Sequence, residues 1–326
     1  MRRKLLVELL AFAGLATVAI GLWGWVPTTV KPSGRQLARN AAWIGVEWTS
    51  APAASVAVQR LTADAAAHRL RYLYPYTTYV KPDGSLNPTY DHAASFMRAF
   101  RASNQETRLL AWIGVPLRNE RPIGMRGWVD LGDEAARQHI VTWAAEMVRK
   151  VGFDGIHVDA EPVSDGDADY LRLLEEIRAA IGDEAILSVA GAYWLPAGIN
   201  SLPLLRRYKW SPSYYRQVGS RVDQIAAMTY DSLAPHPALY RLWMREQARA
   251  MDRALAGSST ELLIGVSASR ERTLTPHPCA ENVVNGLAGL SAYLAEGSDS
   301  IVGVALYAAW EAEPSDWQAW DCATSH

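Results

Sequence analysis

The chain has 326 residues, 49% hydrophobic and 20% charged, enough to bury a full core within a single α/β barrel. Residues 1–40 hold six of the 32 Lys and Arg and one of the 34 Asp and Glu, which leaves the remainder at a net charge of −7. That balance has no electrostatic footprint for nucleic acid, so this class of partner is excluded.

In chain order, Arg2, Arg3 and Lys4 precede a 22-residue apolar run, 5–26, whose only charge is Glu8. A helix of that length spans a hydrocarbon core of about 30 Å. Trp23 and Trp25 stand at its far end, where interfacial aromatics belong. A cleavable signal peptide would have a shorter apolar region and a small-x-small site, whereas this run ends Leu22-Trp23-Gly24-Trp25-Val26-Pro27. We read 1–26 as an uncleaved single-pass anchor in the cell membrane. The clustered cations before it put the N-terminus in the cytoplasm and the rest of the chain outside. Residues 27–40 then form a linker, and 41–326 one domain.

Within that domain, apolar strand-like runs lie at 43–49, 71–80, 108–116, 155–163, 186–194, 224–231, 262–269 and 301–310. Helix-like stretches such as 133–151, 167–181, 237–256 and 281–296 separate them. Ile140, Val141, Ala144, Ala145 and Val148 follow a helical rhythm, and Asp133 and Asp167 are placed to complement helix dipoles. Eight alternating units predict a (β/α)8 TIM barrel, whose active site lies at the C-terminal ends of the strands. The stretch 270–279 after the seventh strand is short, so the groove is expected to be open. Cys279 and Cys322 are the only cysteines, and a disulfide or two free thiols are both open.

The fourth strand carries the chemistry. Period-2 alternation puts His157, Asp159 and Glu161 on one face and Ile156, Val158 and Ala160 on the other. Pro162 then ends the strand. Crowded carboxylates resist double ionisation, so one is held protonated toward neutral pH and becomes available as a general acid. The chain has 13 Trp and 14 Tyr against four Phe, a bias toward rings with a polar tip that suits sugar-binding surfaces. Neither a metal nor another cofactor is expected: the histidines lack metal-ligand spacing, and no phosphate loop, dinucleotide fingerprint or nucleophile elbow occurs.

Asp154, Gly155, Asp159 and Glu161 resemble the Asp-Gly-x-Asp-x-Asp-x-Glu signature of glycoside hydrolase family 18, the chitinase and endo-N-acetylglucosaminidase family. His157 stands where that pattern has its middle Asp. Met228-Thr229-Tyr230-Asp231 is similar to the family's Met-x-Tyr-Asp after strand six, and Trp310 to its sugar-stacking Trp after strand eight. The resemblance implies substrate-assisted hydrolysis of an oligo- or polysaccharide containing N-acetylglucosamine. It makes Glu161 the acid, Asp159 the group that orients the acetamide N–H, and Tyr230 the donor to the acetamide oxygen. Asp231 would contact substrate hydroxyls or the acid, and Trp310 would form the sugar floor. Met228 belongs to the same motif, and His157 is expected to donate to Asp159. Tyr76, Trp112 and Trp194, with Tyr74 and Tyr193, are candidate groove walls. Asp154 is read as a turn residue. Two other readings stay open: a silent glycan-binding barrel, and a two-carboxylate hydrolase pairing Glu161 with Glu47 or Glu311.

Overall fold

A computed structural model describes residues 26–32, 37–118, 127–195, 209–232, 234–271 and 278–325. Of the proposed anchor only Val26 falls within these; residues 1–25 lie outside them. Among the described residues no helix is long and apolar enough to cross a membrane.

Eight parallel strands close into a barrel in sequence order. They are β1 (Asn40–Ile44), β2 (Leu70–Tyr79), β3 (Arg108–Pro116), β4 (Gly155–Glu161), β5 (Ile186–Gly191), β6 (Gln224–Ala227), β7 (Glu261–Ser267) and β8 (Ile301–Tyr307). A helix follows each strand: α1 (Ser55–Ala67), α2 (Ala93–Arg101), α3 (Glu134–Glu146), α4 (Ala168–Ile181), α5 (Pro212–Gly219), α6 (Pro237–Leu255), α7 (Val283–Leu294) and α8 (Pro314–Thr324). This is the predicted (β/α)8 architecture.

The alternation within each strand sorts the core into two compartments. Ala41, Trp43, Tyr72, Tyr74, Leu110, Ala226, Leu263 and Ala305 fill the barrel interior. Ala42, Ile44, Leu73, Ile156, Val158 and Ala160 belong to the larger apolar layer beneath the helices. His157, Asp159 and Glu161 therefore face inward, as the period requires. Asp133 and Asp167 stand at helix N-termini and also cap them: Asp133 accepts the Ala135 N–H, and Asp167 accepts those of Asp169 and Tyr170.

Asp154 fixes the entry into β4. Its carboxylate takes the Leu109 N–H at 2.8 Å and pairs with Arg108 and Arg101. Several strands are shorter at their C-terminal ends than the apolar runs suggested. β6 stops at Ala227, where Met228 still donates its N–H to Gly191, but the following residues leave the ladder. β8 stops at Tyr307, so Trp310 lies in a short 3₁₀ turn, Ala309–Glu311. Hydrophobicity persists past these ends because the mouth of a barrel is itself lined with aromatics.

The last residue of the proposed anchor and part of the linker are docked on the barrel. The Val26 carbonyl accepts from Arg241 at 3.4 Å, and that of Lys31 from the Ser291 hydroxyl at 3.1 Å. Cys322 is half-buried beside Val30, Cys279 is exposed, and both are free thiols.

Candidate active site

The register of the barrel aligns polar side chains in one inward row. Trp112 lies beside His157, His157 beside Ser188, Ser188 beside Gln224, and Gln224 beside Glu261. His157 is fully buried and stacks on Tyr74 at a centroid distance of 4.0 Å and an interplanar angle of 3°. The Trp43 indole N–H donates to His157 Nε2 at 3.0 Å. An indole can only donate, so Nε2 carries no proton and Nδ1 does. Nδ1 then donates to Ser188 Oγ at 2.9 Å, and Ser188 donates to Gln224 Oε1 at 2.8 Å. Gln224 Nε2 continues the chain to Glu261 at 3.1 Å.

This corrects the expected His157–Asp159 bond, because both ring nitrogens are already engaged. Burial lowers the imidazole to about 3, so His157 is neutral across the working range of a glycosidase. Tyr74 is likewise no groove wall. It is fully buried, and its hydroxyl donates to Gln224.

One step further along β4, Asp159 accepts the Trp112 indole N–H on Oδ2 at 3.0 Å. Its Oδ1 is buried with no hydrogen-bond partner. Burial raises the carboxyl to about 6, with the Trp112 bond opposing. A buried carboxylate oxygen without a donor is costly, and at a groove it marks a place for a ligand N–H or O–H. Glu161 follows as the exposed last residue of the strand, and its backbone carbonyl takes the Leu117 N–H at 2.7 Å.

Tyr230 reaches the same place from the end of β6. Its hydroxyl is held well above its ordinary range, first by burial, then by Tyr307 and by the charges of Asp159, Asp231 and Glu161. It therefore remains a proton donor at every physiological pH. Asp231 lies at the mouth, open to solvent on one side. The protein around it raises its carboxyl, and the charge of Glu271 adds to this. Glu161, Tyr193, Trp210, Met228, Tyr230 and Asp231 line one recess. Burial raises Tyr76 to about 12, assisted by the Asp159 charge, and its ring stands edge-on to Trp112 at 4.6 Å.

Not every predicted residue converges there. Trp310 is 48% exposed, and its ring stands edge-on to Tyr307, 5.8 Å away. The ring that stacks on Tyr230 is Tyr307, at 5.1 Å and 15°. Tyr307 was missed although alternation announces it: it shares the inward face of β8 with Ala305. Trp194 is held by its backbone, which exchanges bonds of 2.8 and 2.7 Å with the Gln247 amide. Tyr193 rather than Trp194 enters the recess. Trp210 also lines the recess, from a stretch that no periodic pattern connects to the strands.

The alternative carboxylates are less well placed. Glu311 accepts the Arg270 N–H at 2.7 Å and the Ser269 hydroxyl at 3.4 Å, bonds that tie down the loop after β7. Glu47 is exposed on the helical turn Glu47–Ser50 after β1 and is not among the residues lining the recess. Among the described residues, no group of three or more His, Cys, Asp and Glu could hold a metal ion. Residues 272–277 of the short loop that suggested an open groove lie outside the described residues.

The sequence profile of glycosyl hydrolases family 18 matches residues 64–319. No curated protein matches. Among solved structures, a class V chitinase from Pseudomonas fluorescens Pf-5 superposes with a TM-score of 0.62 at 14% identity, covering 88% of this chain and 99% of that one. The spore cortex-lytic enzyme SleL of Bacillus cereus gives 0.60 at 14%, covering 88% and 75%. A plant class V chitinase mutant from Cycas revoluta, in complex with (GlcNAc)3, gives 0.57 at 15%, covering 87% and 99%. At such identities these likenesses establish the fold alone.

Proposed function

The chain belongs to the glycosyl hydrolases of family 18, and on that footing we propose a retaining hydrolase of glycans containing β-linked N-acetylglucosamine. The observation that carries this reading is the buried, unpartnered Oδ1 of Asp159, on the face of β4 that ends in Glu161 and near enough to Tyr230 for its charge to act on that hydroxyl. A substrate acetamide has a matching donor and acceptor.

In the proposed reaction, Glu161 gives its proton to the glycosidic oxygen and the C1–O bond breaks toward that oxygen. The acetamide carbonyl oxygen attacks C1 from the opposite face, forming an oxazolinium ion. Asp159, ionised, accepts the acetamide N–H and stabilises the positive charge that develops there. The Tyr230 O–H holds the attacking oxygen in line. Water then adds to C1, passing its proton to Glu161, and the original configuration returns. Trp112 fixes the Asp159 rotamer, and Tyr307 and Tyr76 supply apolar walls. Asp231 would bind sugar hydroxyls and Trp310 a ring further out.

The retained Glu161 speaks against a silent binding barrel, and the engagement of Glu311 against a two-carboxylate pair. The test is Glu161→Gln assayed on chitin oligosaccharides, with a thiazoline mimic of the oxazolinium as inhibitor. Turnover is expected to fall by roughly 10²–10⁴ while oligosaccharide binding persists. Full turnover by the variant, or cleavage of a plain glucan with indifference to the thiazoline, would reject the reading. We further propose that residues 5–26 anchor the enzyme in the cell membrane with the barrel outside the cytoplasm.

A further inference from the structure

Glu281, which lies just before α7 and is 2% exposed, takes no part in the proposed reaction. Its two carboxylate oxygens accept the Ser232 N–H at 3.1 and 3.2 Å, and one accepts the Ser232 hydroxyl at 2.9 Å. Ser232 Oγ in turn accepts the Ala234 N–H at 3.2 Å. The clamp therefore grips the chain immediately after the Tyr230-Asp231 pair.

That grip has a geometric consequence. Asp231 has a φ of 58°, the left-handed region that a residue with a Cβ occupies only at a cost. Hydrogen bonds beyond it must hold the turn, and in the described residues the buried carboxylate of Glu281 supplies them. If the turn relaxed, the Asp231 side chain and the Tyr230 ring would swing away from the recess they line.

We propose that Glu281 is a positioning residue: its carboxylate holds the peptide after Asp231 so that Tyr230 and Asp231 point into the groove. The inference rests on the family-18 reading of the reaction for its catalytic consequence, but the clamp itself does not. The groups that face Glu281 are Asp231 and Ser232 on the β6–α6 connection and the buried Tyr240 hydroxyl on α6. Burial pushes the Glu281 carboxyl up to about 7 against the bonds from Ser232, and the Asp231 charge adds to the rise. Protonation weakens it as an acceptor, so the clamp is firm above neutrality and loosens below.

Glu281→Gln tests this, because an amide of the same shape has one acceptor oxygen where the carboxylate has two. We expect kcat to fall about tenfold, a barrier increase near 1.4 kcal/mol, with KM little changed. The ratio of wild-type to variant kcat should widen as pH rises from 6 to 8, since the protonated wild type resembles the amide. A constant ratio, or an unchanged kcat, overturns the proposal. Ser232→Ala, which removes only the hydroxyl bond, should show a smaller loss and provides the comparison if the first variant does not fold. Hydrogen exchange at the Ser232 amide, read at pH 8 without substrate, should be faster in Glu281→Gln. Equal protection there overturns the clamp, whereas a wild type that cleaves no acetamido glycan overturns only the reading of the reaction.

Discussion

At the scale of single residues, Asp159 combines a functional demand with a stability cost. Its carboxyl is raised by burial to about 6, above the 3.8 of an exposed Asp. A raised carboxyl means that the folded state binds a proton more readily than the unfolded one. Asp159 therefore costs stability progressively as pH rises from about 4 through 6, and the full cost is present above that. Asp159→Asn removes the charge, so its melting temperature should exceed that of wild type at pH 8, by a stability gain on the order of 1–3 kcal/mol. The two proteins should converge near pH 4. The same change should slow cleavage, because an amide NH2 turned toward the acetamide N–H cannot accept from it. Wild-type turnover should also fall as pH drops through about 6. A variant that is active and no more stable would sink this account of Asp159. His157 contributes differently, as a neutral link between Trp43 and Ser188, and its titration lies too low to shape a pH profile above 5.

At the scale of elements, the barrel depends on carboxylates that gather backbone donors at strand entries. Asp154 does this for β3 and β4, and Asp252 does it for β8. Asp252 is 4% exposed on α6 and accepts the Ser300 N–H at 2.7 Å, the Tyr293 hydroxyl at 2.7 Å and the Ser298 hydroxyl at 2.9 Å. The N–H groups of Asp299 and Ile301 add bonds of 3.2 Å. Burial alone would raise this carboxyl, but the donors outweigh it and the net shift is downward. A depressed carboxyl contributes stability that is present above the unfolded value and lost as pH falls through the folded one. Asp252→Asn should therefore cost roughly 2–4 kcal/mol in denaturant melts at pH 7, with the gap narrowing toward pH 3. An undiminished gap at low pH would mean that shape rather than charge holds the β8 entry.

At the scale of the whole molecule, the barrel brings β4, β6 and β8 to one mouth, so Glu161, Tyr230 and Tyr307 meet although 146 positions separate the first from the last. Residues 26–32, which lead into the barrel, are partly docked against α6, α7 and α8. A membrane anchor at 5–26 would thus hold the barrel close to the lipid surface. The full chain should sediment with membranes and stay there in high salt, since an apolar span of about 30 Å does not depend on charge. Protease added from the extracytoplasmic side should digest the barrel. Release by salt, or digestion only from the cytoplasmic side, would reject the anchor or its orientation.

What was legible in the sequence is what depends on short-range pattern. Alternating apolar runs and helical periodicity specify eight β/α units because each strand must hide two faces and each helix one. The period-2 spacing placed His157, Asp159 and Glu161 on the inner face of β4, and Met228-Thr229-Tyr230-Asp231 lay after the next-but-one strand. What only the tertiary structure decided depends on partners far apart in the chain. The His157 ring is engaged by Trp43 and Ser188 rather than by Asp159, because barrel register and closure bring those side chains beside it. Tyr307 is the ring against Tyr230, and Trp310 stands beyond it because β8 leaves its ladder three residues before Trp310. The grip of Glu281 on Ser232 spans 49 positions, and no local periodicity encodes a hydrogen bond between two loops. Pattern along the chain determines which face a side chain takes; closure of the barrel determines what it meets there.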